Sequence, residues 1–160
     1  METSRASSSS TLPGTTLVGI SCQNWGSSRW LTIWRSVTTP TWEAFIPWQI
    51  GNMGGIEYLD IADANLTGSI PSQFSNLTWL KSLFLFSNQL TGPIPPELSM
   101  ITSLVDLELS DSLISGSIPE SFYELRNLRL LSLMYSEMSG TVPESILSYR
   151  RWKRCSSRTL

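Results

Sequence analysis

The stretch that decides the fold is "LKSLFLFSNQLTGPIPPELSM", Leu80–Met100. Leu83 and Leu85 stand two apart, a spacing that turns both side chains to one side of a short strand and turns Phe84 to the other. Gly92 then admits backbone angles closed to other residues, and Ile94-Pro95 holds an extended return leg. Leu98 follows three residues after that proline and Ile101 three after Leu98, which suits a short helical or 3₁₀ turn burying one side.

Outward from this stretch the pattern recurs with a step of 24: Gly68, Gly92, Gly116 and Gly140, and likewise Pro71, Pro95, Pro119 and Pro143, with Pro47 one step earlier. Ile56, Leu80, Leu104 and Leu128 open the units. Leu59, Leu83, Leu107 and Leu131 come next, then Ile61, Leu85, Leu109 and Leu133. One unit is thus repeated four times, preceded by the half unit "FIPWQIGNM". Strands from successive units must lie side by side, giving a solenoid whose core is a stack of aligned apolar rungs.

Composition narrows the function. The 160 residues are 41% hydrophobic with a formal charge of -2, which disfavours nucleic acid because no clustered basic face exists outside the extreme tail. Histidine is absent and there are two cysteines, so neither a Ser-His or Cys-His nucleophile nor an ordinary zinc site can be assembled. The expectation is a protein that is not an enzyme and needs no cofactor. No apolar run reaches membrane-spanning length, and the first residues hold no apolar stretch of signal-peptide length.

The repeat resembles the plant-type leucine-rich repeat, L-x-x-L-x-L-x-x-N-x-L-T-G-x-I-P, in register over residues 44 to 147. "IPWQIGNM", "YLDIADANLTGSIP", "SLFLFSNQLTGPIP" and "LSLMYSEMSGTVPESI" further resemble the ectodomains of plant receptor-like kinases that perceive secreted CLE peptides. That resemblance implies an α/β-type repeat solenoid with a short-stranded parallel sheet and 3₁₀, helical or extended turns outside. It also implies a secreted peptide ligand, a co-receptor kinase and an extracellular or plasma-membrane setting. Two departures stand out. The asparagine of the motif is present as Asn88 alone, replaced by Ala64, Ser112 and Ser136, which should cost buried hydrogen bonds; and Ala44 occupies a glycine place.

The organisation expected is a non-repeat flank over 1–42, repeats over 43–147 and a basic tail over 148–160. Both flanks read as out-of-frame or disordered sequence. One base earlier, codons permitted by Arg5–Thr15 encode KSLEFIHLAGN and those from Ser148 onward permit LPSLETLLI, both repeat-like strings. On this reading Arg150, Arg151, Lys153, Arg154 and Arg158 are no binding element, and Cys22 and Cys155 have no selected role. Without caps, the rungs at Ile56 and near Ile146 should meet water.

The sheet face turned away from the core carries the peptide-binding candidates: Tyr58, Asp60, Phe84, Phe86, Asp106, Glu108, Ser132, Met134 and Tyr135. Aromatic rings supply contact area and carboxylates match basic peptide residues; the alternative is a solvated strand face. Ala62, Asp63, Ser82, Ser87, Ser110, Asp111 and Leu130 complete that face. The carboxylates lie along one open sheet rather than across a cleft, which suits neither sugar hydrolysis nor calcium. Asn65-Leu66-Thr67 and Asn76-Leu77-Thr78 match the glycosylation acceptor triplet. Three functions compete: a non-signalling receptor fragment, a secreted decoy or defence-type inhibitor, and an intracellular scaffold.

Overall fold

The computed structural model describes residues 20–25, 28–33 and 45–144. Each unit begins with a three-residue strand: β3 (Tyr58–Asp60), β5 (Ser82–Phe84), β7 (Asp106–Glu108) and β9 (Leu130–Ser132). They pair in parallel with a constant register, so that Leu59, Leu83, Leu107 and Leu131 are direct neighbours. These four leucines are almost completely buried. Each such side chain contributes roughly 1.5–3 kcal/mol by leaving water.

After the strand the chain turns through a residue in the left-handed region, Asp63, Ser87, Asp111 or Tyr135, joined in the first unit by Asn65. A second set of short strands follows: β4 (Thr67–Gly68), β6 (Gln89–Gly92), β8 (Leu113–Gly116) and β10 (Glu137–Met138), again parallel, in the order β10-β8-β6-β4. Ile70, Ile94 and Ile118 then bury the extended leg before each proline. The 3₁₀ turns expected after the prolines are present as η1 (Trp48–Asn52), η2 (Ser72–Asn76), η3 (Pro96–Met100) and η4 (Glu120–Glu124). Phe74, Leu98 and Phe122 plug the core from this side, with Leu77, Ile101 and Leu125 closing each coil. The result is the expected solenoid, with a second parallel sheet on the adjoining side of each coil.

Gly68 shows why the glycine series is needed. Its φ is +78°, and a Cβ there would lie 2.5 Å from Cδ1 of Phe45, whose backbone bridges Thr67.

The asparagine gap is partly compensated. Asn88 Oδ1 accepts from the amides of Ala64 (3.2 Å) and Leu66 (2.9 Å), and its Nδ2 donates to the carbonyls of Ile61, Leu85 and Phe86. One side chain thus serves two units, covering the place where Ala64 has nothing to offer. Ser112 and Ser136 each keep one bond, donating to the carbonyls of Leu109 and Leu133.

The N-terminal side differs from the expectation of an exposed first rung. Ile56 is only 6% exposed. Two strands, β1 (Ile20–Trp25) and β2 (Ser28–Ile33), form an antiparallel hairpin, and β2 pairs in parallel with β3, extending the sheet to the order β1-β2-β3-β5-β7-β9. These two segments of the 1–42 flank pair with the sheet, because an open edge of unpaired amides and carbonyls offers an adjacent segment a full set of partners. Ile46 and Ile50 of the half unit are buried beside the same end of the core. Ala44, Ile146, Cys155 and the 148–160 tail lie outside the described residues.

Candidate functional site

The strand pleat sends Leu59, Leu83, Leu107 and Leu131 inward, so their neighbours in sequence must face outward, and the constant register assembles these into rows. One row runs Tyr58, Ser82, Asp106, Leu130 and the next Asp60, Phe84, Glu108, Ser132. A third, Ala62, Phe86, Ser110, Met134, is held just beyond the strands by bonds that continue the ladder, from the amides of Asp63, Ser87 and Asp111 to the carbonyls of Phe86, Ser110 and Met134.

In the second row Phe84 stands between two carboxylates, Asp60 on one neighbouring strand and Glu108 on the other. Strands lie about 4.8 Å apart, so the two acidic side chains start roughly 10 Å from each other with the ring between them. All three are half-buried. Asp60 Oδ1 accepts from the Ala62 amide at 3.1 Å, which fixes its orientation. Glu108 has its pKa raised, first by burial and then by the negative charges of Asp106 and Asp111. A carboxylate in this state gains from a positive partner, since an approaching cation relieves both the lost hydration and the like-charge repulsion.

Two serines of this face behave differently from the reading as exposed strand residues. Ser82 and Ser110 are buried. The Ser82 hydroxyl donates to Asp106 Oδ2 at 3.0 Å, and the Ser110 and Ser132 hydroxyls pair at 2.5 Å. Both hydroxyls are thus engaged with side chains on the adjacent strand. Of the candidates, Tyr58, Asp60, Phe84, Phe86, Asp106, Glu108, Ser132 and Met134 fall within the three rows. Tyr135 does not: it occupies the left-handed turn after β9 with φ +54° and is 72% exposed, standing at the rim. Asp63, Ser87 and Asp111 occupy the same turn in their units.

Both glycosylation triplets have exposed asparagines, Asn65 at the turn into β4 and Asn76 at the end of η2. They lie off the strand rows. Sequence reasoning passed over the flank of the coils around η2 to η4, where Trp79, Met100 and Tyr123 are exposed. Trp79 and Met100 break the polar pattern of surface turns, and that break was the available signal.

With this geometry in view, likeness to known proteins is informative. The family profile of the leucine-rich repeat matches residues 55–77, 79–101 and 103–125. No curated protein sequence matches the chain. Among solved structures, the chain is similar to the TDR receptor, with 38% identity and a TM-score of 0.65 over 72% of this chain and 20% of that one. A chain of the BIR3–SERK2 complex from Arabidopsis thaliana shares 30% identity over 94% of this chain and 86% of its own length, with a TM-score of 0.66. The plant peptide hormone receptor RGFR1, solved in complex with RGF2, shares 30% identity over 70% of this chain and 22% of that one, with a TM-score of 0.57. The chain therefore spans about a fifth of the TDR receptor and RGFR1 chains.

Proposed function

Because the chain belongs to the leucine-rich-repeat family, in the form carried by plant receptor-kinase ectodomains, we propose that its three-row sheet face binds an extended secreted peptide. The observation that carries this reading is the row Asp60, Phe84, Glu108, Ser132. An arginine or lysine of the peptide would lie over the Phe84 ring with its charge between Asp60 and Glu108, combining cation–π attraction with charge matching. Phe86 and Met134 would supply apolar contact along the third row. The similarity to a peptide hormone receptor supports the ligand class, and the resemblance of the repeat motifs points to a peptide of the CLE type.

In an intact receptor the peptide-loaded face would recruit a co-receptor kinase. Among the described residues no helix is long and apolar enough to cross a membrane. The face suits binding rather than catalysis, since its carboxylates lie along an open sheet and do not oppose one another across a cleft. The test is a panel of synthetic secreted-type peptides passed over the immobilised chain. At least one peptide bearing a basic residue should bind, and Phe84→Ser should weaken it by about tenfold. Retention of every binder by Phe84→Ser would remove the row from the interface.

A further inference from the structure

The coil flank opposite in character to the sheet face carries an unexplained apolar surface. Trp79 is 67% exposed and Met100 63%. Met100 occupies the place in its unit that Asn76 occupies in the one before, 24 residues earlier, so the two are neighbours on adjacent rungs. Trp79 is joined to Asn76 by a tight turn: the Thr78 amide donates to the Asn76 carbonyl and the Leu80 amide to that of Leu77, both at 2.9 Å. The Asn76 carboxamide has no hydrogen-bond partner among the described residues, and both Asn76 and Thr78 are exposed. The other triplet is different, since Asn65 Oδ1 accepts from Gln89 Nε2 and the Thr67 hydroxyl is buried without a partner.

We propose that Asn76 carries an N-linked glycan whose first sugar lies across the Trp79 indole and shields Met100. This goes beyond peptide recognition and stands without it. Asn76 Nδ2 attacks the anomeric carbon of an oligosaccharide carried on a polyprenyl pyrophosphate; the bond from that carbon to the phosphate oxygen breaks, the lipid pyrophosphate leaves and Nδ2 gives up one proton. The occupant follows from the setting: an acceptor asparagine stands one turn from a solvent-facing ring whose negative face attracts the polarised C–H groups of a sugar. A glycan there also covers apolar surface that a monomer would otherwise expose to association.

The experiment produces the full chain behind a secretion leader in insect cells and compares it with Asn76→Gln, Thr78→Ala and Thr78→Ser. Peptide mass mapping reads the attached sugar, and hydroxyl-radical oxidation reads the exposure of each Trp and Met. Parent and Thr78→Ser should carry the glycan on Asn76. Oxidation of Trp79 and Met100 should rise several-fold in Asn76→Gln and Thr78→Ala, while that of Trp48, exposed on η1, stays unchanged as the check on folding. An unmodified Asn76 in the secreted parent, or equal Trp79 oxidation with and without the sugar, would overturn the proposal.

Discussion

Asn88 is the residue on which neighbouring coils depend most. Its amide group makes bonds to five backbone groups in two units, and it is buried. Asn88→Ala would take away the side-chain partner of two amides and of the Ile61 and Leu85 carbonyls, the Phe86 carbonyl keeping the Asp63 amide, so a loss on the order of 3–5 kcal/mol in urea unfolding is expected. Ser112→Ala removes one bond and should cost about 1 kcal/mol. At the sheet face, Glu108 gives a test with a definite sign. Its folded pKa is raised, so the fold favours its protonated form; the stability that group contributes is present in acid and is lost as pH rises through the raised value. Glu108→Gln should therefore be at least as stable as the parent at neutral pH, with the difference vanishing in acid. A parent stabilised relative to Glu108→Gln at neutral pH would contradict the geometry. Much of this scale was legible in the sequence. The motif placed Asn88 and the alternation placed Glu108, but the burial of Ser82 and Ser110 was not readable, because it comes from hydroxyl partners on adjacent strands.

The elements are short, and each survives only because the next unit repeats it. A three-residue strand has no independent stability; register with its neighbours and the leucine stack supply it. Leu107→Asp buries an unpaired charge in that stack and should abolish the sheet signal in circular dichroism, whereas Glu108→Ala on the opposite side should leave it unchanged. Equal losses in both variants would refute the assignment of faces. The glycine series is graded in the same way. Gly68→Ala places a methyl group against Phe45 and forces a left-handed alanine, so about 1–2 kcal/mol should be lost. Gly92→Ala meets only Ser69 Cβ at 3.9 Å and should lose less. The main strands and 3₁₀ turns could be read from the 24-residue step, since each rests on apolar spacing within one unit. The second sheet could not, because β4, β6, β8 and β10 are two to four residues long and arise from pairing between units.

As a whole molecule the chain is a one-dimensional stack, so its ends matter as much as its middle. The hairpin β1–β2 occupies the edge beside β3 and so places a cap where the sequence suggested an open rung. It was not legible because neither segment follows the repeat and its strands owe their form to the edge they pair with. The stack also sets what each side of the molecule can offer. The sheet face gathers three residues from each unit into three rows, so a ligand contacting several units must be extended, while the 3₁₀ flank carries the Asn76 and Trp79 pair. The most direct test of the account is the dissociation constant of a bound basic peptide against its citrulline analogue, which keeps the shape of arginine and removes its charge. The account predicts binding weaker by about tenfold for the citrulline form with the parent, and a much smaller difference with Glu108→Gln. Equal affinity of the two peptides for the parent would show that the Asp60, Phe84 and Glu108 row does not recognise the ligand.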